Sequence, residues 1–314
     1  MKLHYDKKIF SDTIRAAAQY LKINEVFVEK DYWITLVLNR LSKSKYAKDS
    51  VFKGGTSLSK GFGLINRFSE DVDIAIIHEN DKSGNEIKNI IRTVEKEMTD
   101  ELTEIQMDGV TSKGSRFRKS VHEYESIDPK NKNNKFIVEI NSFANPFPYQ
   151  VRTIKSLVHD FLTQTSNEKI IQQYDLQPFQ INVLNKEQTL LEKLVSLIRF
   201  SLDKNPIESI SKRIRHFYDI HYLMNDTDCA IFTNSNEFKK KFNELLAHDK
   251  EIFDEPEGWR EKEIAESQLI NGFDNMWEQI KSTYKSELSA LAYTAVPEET
   301  DVAKSFKELI SLIQ

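Results

Sequence analysis

Apolar residues near the start of the chain recur at helical spacing. Ile14, Ala17, Ala18 and Leu21 fall at i, i+3, i+4 and i+7, which predicts an amphipathic helix with Ser11 as its cap. A second helix is expected after Asn24, with Val26, Trp33, Val37 and Leu41 on one face and the polar run 42–49 ending it. The texture then changes. Val51-Phe52-Lys53 reads as a short strand, Gly54-Gly55 as its break, and 56–62 as a short helix. Residues 69–77 read as another strand and 81–85 as a turn. Ile87, Ile90, Ile91, Val94 and Met98 mark an amphipathic helix, and 135–143 is strand-like after a polar loop at 128–134. From about Leu190 the pattern is helical almost to the end. Leu190, Leu191, Leu194, Leu197 and Ile198 form one stripe, and Ile210, Ile214 and Phe217 begin the next. About three more helices follow, broken at 254–258 and 297–301. The expected architecture is α+β, with a small mixed sheet in residues 1–185 and a helical domain in 186–314.

Composition narrows the class. The chain has 314 residues, 39% hydrophobic and 30% charged, with 9 Gly and 7 Pro. That excludes fibrous and Pro/Gly-rich disordered classes. The net charge is −5, and the acidity sits at the end: residues 231–314 hold 10 basic against 17 acidic side chains. A uniform coat of positive charge for nucleic acid is therefore absent, while a local basic groove stays open. One cysteine, Cys229, rules out a disulfide framework or a cysteine zinc site. No apolar run reaches membrane-spanning length, and the first ten residues lack the apolar segment of a signal peptide. A cytoplasmic location without membrane partners is the expectation.

The chemistry concentrates in Phe52-Lys53-Gly54-Gly55-Thr56-Ser57-Leu58-Ser59-Lys60 and Phe68-Ser69-Glu70-Asp71-Val72-Asp73-Ile74. A strand ending in two glycines lets backbone N–H groups approach a ligand, and a helix start at once supplies further donors. Thr56, Ser57 and Ser59 add hydroxyls, so the segment reads as a phosphate cradle. It is neither a Walker loop nor a dinucleotide fingerprint, since the required lysine and third glycine are missing. Asp71 and Asp73 lie two apart on a strand and so share a face. Such oxygens suit hard cations such as Mg²⁺ or Mn²⁺. A cradle beside a metal-binding pair is what nucleotidyl transfer requires. Each piece alone has an ordinary reading: a turn, an N-cap, two solvated charges.

The order Gly-Gly-Thr-Ser-Leu then Ser-Glu-Asp-Val-Asp-Ile resembles the AbiEii/AbiGii-type nucleotidyltransferase toxins, a branch of the DNA polymerase β-like superfamily. Val28-Glu29-Lys30-Asp31-Tyr32-Trp33 is similar to the family's leading helix. Thr189 to Leu197 is similar to its lysine motif and Arg213 to Ile220 to its final aspartate motif. The resemblance implies a toxin of an abortive-infection or toxin–antitoxin pair that transfers NMP from an NTP to the 3′ end of tRNA. It also implies a possible antitoxin partner. By position, Gly54, Gly55 and Ser57 would hold the triphosphate and Thr56 would shape the turn. Asp71 and Asp73 would bind metal, Lys193 would meet the triphosphate charge, and Asp219 would support nucleotide or metal binding. Glu139, in a strand-like run, is the candidate third carboxylate.

Alternatives stand beside this reading. The same chemistry could act on a small molecule or a protein hydroxyl, or the chain could be a non-catalytic GTP- or NTP-binding module. Lys193 lies off the leucine stripe and could be a solvated lysine, and Asp219 could pair with Arg215 one turn earlier. Two basic clusters are candidate RNA surfaces: 111–135, with Phe117 and Tyr124 interleaved, and 193–215, which flanks Lys193. His216 and His221 are expected to pack or lie at the surface, Cys229 to be an inert thiol, and Trp33, Trp259 and Trp277 to be core.

Overall fold

All the strands described lie before Asn185, and the chain beyond it is helical, in the computed structural model that describes residues 1–78 and 82–314. One compact unit comprises residues 1–63 and 68–184, and the other comprises 64–67 and 185–314. Residue 81 of the expected turn at 81–85 lies outside the described residues.

The first unit opens with α1 (Lys7–Leu21) and α2 (Glu25–Lys43). The cap of α1 is Asp6, whose carboxylate accepts the Ile9 N–H, and Ser11, the expected cap, lies inside the helix. The buried stripe begins at Phe10, one turn before Ile14, so a stripe counted from Ile14 starts the helix too late. Asn24 caps α2 as expected, accepting from Val26 N–H. Both faces of α2 are covered: Val28, Trp33, Ile34, Val37, Leu38 and Leu41 are buried against α1, the sheet and a later helix. Burying each such side chain contributes about 1.5–3 kcal/mol.

The sheet follows: β1 (Ser50–Lys53), the short α3 (Gly54–Lys60), β2 (Asp71–Ile76), α4 (Gly84–Met98), β3 (Thr103–Ile105), β4 (Ser112–Lys113), β5 (Phe117–Glu123), β6 (Lys135–Asn141), β7 (Tyr149–Ile154), α5 (Leu157–Gln164), α6 (Glu168–Gln173) and β8 (Phe179–Leu184). The order is β3-β5-β6-β2-β1-β8-β7, with β4 on β5. β2–β6 and β1–β8 run parallel and the other pairs antiparallel, so the sheet is mixed as expected. It is not small, for among the described residues it has eight strands. β5 hides in the basic run Phe117-Arg118-Lys119-Ser120-Val121-His122-Glu123, where the buried residues are Ser120, Val121 and His122. α4 buries the five expected apolar residues and starts with a capping box, Ser83 with Glu86.

In the second unit α7 (Lys186–Ser201) is the central helix and buries its leucine stripe. α8 (Pro206–Ser211), α9 (Arg215–Met224), α10 (Thr227–Thr233), α11 (Asn236–Ile252), α12 (Gln268–Asn271), α13 (Phe273–Leu291) and α14 (Glu299–Ser311) complete it. The stripe Ile210, Ile214, Phe217 is not one helix. A turn at 212–214 separates α8 from α9, while all three side chains remain buried. Phe217, Phe273, Trp277 and Phe306 pack ring against ring. Trp33, Trp259 and Trp277 are core residues. Among the described residues no helix is long and apolar enough to cross a membrane.

Candidate active site

Two groups of the candidate residues are assembled, one in each unit. In the first unit β1 ends at Lys53, and Gly54 begins α3 directly, with φ +77°. Only glycine adopts that conformation freely. The space where a Cβ would stand is already filled: a methyl there would lie 2.0 Å from Asp73 Oδ2. Gly54 is therefore required twice, by its backbone angle and by the carboxylate tucked under it.

The hydroxyls beside it face inward. Ser57 is fully buried and its Oγ donates to the Gly54 carbonyl at 2.8 Å. Thr56 Oγ1 donates to the Asp71 carbonyl, and Ser59 Oγ to that of Thr56. These residues brace the turn and tie it to β2. The expectation that their hydroxyls add to the lining of a phosphate cradle does not match this arrangement.

Strand register aligns the charges. Lys53 pairs with Asp73, Asp73 with Glu139, and Glu139 with Lys119, across β1, β2, β6 and β5. The row reads cation, anion, anion, cation. Asp71 lies two residues before Asp73 on the same face. Lys119 Nζ lies 3.4 Å from Glu139 Oε2. Burial raises the pKa of Asp73 well above the usual carboxylate range, and the charges of Glu139 and Asp71 raise it further against the pull of Lys53 and Lys119. Three carboxylates, Asp71, Asp73 and Glu139, thus share this face with two lysines, Lys53 and Lys119.

Glu29, Lys30 and Asp31 of α2 are all buried, and each holds a different segment. Glu29 accepts from Ser126 Oγ and Ile127 N–H. Lys30 pairs with Glu70 at 2.6 Å, next to Asp71, and Asp31 pairs with Lys60 at the end of α3 and accepts from Leu157 N–H. Three successive charges inside an apolar helix were the signal that they must be paired.

The second group joins Lys193 of α7, Asp219 of α9 and Arg67. Arg67 Nε donates to Asp219 Oδ1 and its Nη2 to Oδ2, both at 2.7 Å, and Lys193 Nζ lies 2.7 Å from the same Oδ2. Asp219 has no exposed surface, and Arg67 and Lys193 are nearly buried. Burial alone would raise the pKa of Asp219, but Arg67 and Lys193 hold it well below the usual carboxylate range. Lys193 is thus not a solvated lysine, and Asp219 pairs with Arg67 rather than with Arg215. Residue spacing gave no sign of Arg67. His216, half-buried nearby, has its pKa pushed well below the usual imidazole value by burial and by the adjacent Lys193.

The basic cluster 193–215 is largely neutralised from within. Besides Lys193, Arg199 pairs with Asp249 and stacks on Phe253, Lys204 pairs with Glu257, Lys212 pairs with Glu208, and Arg213 stacks on Phe200. In 111–135 Lys113, Arg118 and Lys119 are paired, while exposed Arg116, Lys130 and Lys132 carry no ion pair among the described residues. Cys229 is buried and its thiol pushed up by burial, as suits an inert residue.

The family model for the AbiEii nucleotidyl transferase toxin of type IV toxin–antitoxin systems matches residues 36–309. The chain belongs to that family. It is therefore a nucleotidyltransferase toxin by family, as the four motifs implied, although Val28–Trp33 lies outside the matched span. No curated protein matches the sequence. Among solved structures the AbiEii chain is similar to MenT4, a nucleotidyltransferase toxin from Mycobacterium tuberculosis H37Rv, with 13% identity and a TM-score of 0.50. The match covers 96% of this chain and 99% of that one. At that identity the likeness speaks for the shared fold.

Proposed function

We propose that this AbiEii-family chain transfers NMP from an NTP to an acceptor hydroxyl with Mg²⁺, and that the acceptor is the 3′ end of tRNA. The observation that carries the reading is the anionic surplus around Asp73, held under Gly54 beside Asp71 and Glu139. These hard oxygen donors fit Mg²⁺ or Mn²⁺ by their chemistry. They are not a preassembled cage, for among the described residues no three His, Cys, Asp or Glu side chains are grouped to hold a metal. Divalent ions at such carboxylates would neutralise triphosphate charge and favour in-line displacement at phosphorus.

The chain's own residues have separable tasks in this reading. Asp71, Asp73 and Glu139 bind the ions. Gly54 keeps Asp73 in place, and the bare backbone at Gly54-Gly55 admits the triphosphate. Thr56 and Ser57 act on the nucleotide through the turn they brace. Lys193 meets the triphosphate charge, and Asp219 acts on Lys193. An RNA backbone finds its unpaired cations at Arg116, Lys130 and Lys132. Family membership supports a cognate antitoxin as partner. The internal neutralisation of 193–215 favours, as the second reading, a small-molecule or protein hydroxyl as acceptor.

The test is transfer from each α-³²P-labelled NTP, with Mg²⁺ and total bacterial tRNA, by the wild type and Asp71→Ala. Label on tRNA that disappears in the variant is expected. Label on protein or small molecules alone would move the acceptor, and no transfer with NTP still bound would leave a binding module.

A further inference from the structure

We propose that Arg67 is a positioning residue for Lys193, acting through Asp219, and that it leaves the Lys193 ammonium with positive charge for an anionic phosphate. The inference rests on the reading of the chain as an NTP-using enzyme and assigns a task to a residue outside the expected site.

The first observation is stoichiometric. One carboxylate is shared by two cations, so Arg67, Asp219 and Lys193 together carry one positive charge. The second is geometric. Arg67 engages both oxygens of Asp219 as a planar fork, while Lys193 reaches only Oδ2. A bidentate guanidinium–carboxylate pair is the stronger and more directional contact. Asp219 is thus largely satisfied before Lys193 is counted, and two of the three ammonium protons are not used on it. The third is burial. Asp219 has no exposed surface and both oxygens are occupied, so it has no route to a substrate of its own.

The fold holds Arg67 for this task. The segment Leu64–Arg67 belongs to the helical unit. Asn66 N–H donates to Tyr218 Oη at 3.3 Å, the Asn66 carbonyl accepts from Tyr293 N–H at 3.1 Å, and Arg67 makes an isolated β-bridge with Ala292. Tyr218 directly precedes Asp219 on α9, so the backbone before Arg67 and the carboxylate it grips share one support.

Removing Arg67 alone should then be worse than removing Arg67 and the Asp219 charge together. In Arg67→Met the whole charge of Asp219 falls on Lys193. In Arg67→Met/Asp219→Asn the Lys193 charge stands alone again. The measurement is calorimetric affinity for inorganic tripolyphosphate and for NTP, on the full-length chain, for the wild type, both variants and Lys193→Met. We expect Arg67→Met to weaken binding by about tenfold or more and the double variant to recover most of that loss. Lys193→Met should lose binding in every background. A double variant that binds no better than Arg67→Met would overturn the proposal, and if Arg67→Met does not fold, a folded double variant without affinity would do the same. A ligand-free readout separates this from failure of the functional reading. Acylation of Lys193, followed by mass spectrometry, should slow in Arg67→Met and return in the double variant. Indifference of that rate to Arg67 would overturn the proposal even if the wild type binds triphosphate. Failure of the wild type to bind triphosphate, with the acylation pattern intact, would instead count against the functional reading alone.

Discussion

Asp219 is fully buried and Asp73 half-buried, yet the pKa values of these two carboxylates move in opposite directions. Burial raises both. Around Asp73 the nearest strong influences are two more carboxylates, Glu139 and Asp71, with Lys53 and Lys119 at the ends of the row. Around Asp219 there are two cations and no competing anion among the groups that shift it. Burial thus raises the cost of a charge, and the neighbours decide which protonation state bears it. The sign consequences follow by linkage. Asp219, with its folded pKa depressed, contributes stability that is present above its unfolded value near 4 and lost as pH falls below it. Asp73, with its folded pKa raised, detracts from stability as pH rises through the same region and up to the folded value. A surplus of negative charge of this kind is suited to recruiting a cation, whereas a carboxylate gripped by two cations is suited to holding a lysine in place.

The largest expected effect is at the cation-bound carboxylate. Asp219→Ala leaves two buried cations without their anion, and truncating one partner of such a group costs about 3–5 kcal/mol. Urea unfolding at pH 7 measures it, and a loss below about 1 kcal/mol would break the contrast. Gly54→Ala comes next. A left-handed alanine costs about 1–2 kcal/mol, and its methyl would strike Asp73 Oδ2. Because a misplacement near 1 Å can cost about a hundredfold in rate, transfer should fall by at least that much while the melting temperature drops only modestly. Equal transfer by the alanine variant would mean that the placement of Asp73 under Gly54 is not needed for catalysis.

Part of this contrast is legible in the sequence. The two-residue period of a strand put Asp71 and Asp73 on one face, and the glycine pair marked the turn. Helical spacing located α2, α4 and α7, because their apolar stripes bury what the periodicity says they should. The rest depends on contacts distant in sequence. Arg67 and Asp219 are 152 residues apart, and no local pattern announces that one grips the other. Lys193 looked solvated because its anion comes from another helix. Strand β5 escaped notice because its buried face includes Ser120 and His122 rather than a clean apolar alternation. The basic look of 193–215 was misleading for the same reason: three of its partners, Asp249, Phe253 and Glu257, lie farther along the chain.

The most direct test of the central claim is the thermal stability of Asp73→Asn at pH 7, in chelator and then in excess Mg²⁺, beside the wild type. The account predicts that the amide raises the melting temperature in chelator, by relieving about 1 kcal/mol of repulsion, and that it abolishes the upward shift Mg²⁺ gives the wild type. A variant that melts lower than the wild type in chelator, or that still responds fully to Mg²⁺, would contradict the claim that the Asp73 face is an anionic surplus awaiting a cation.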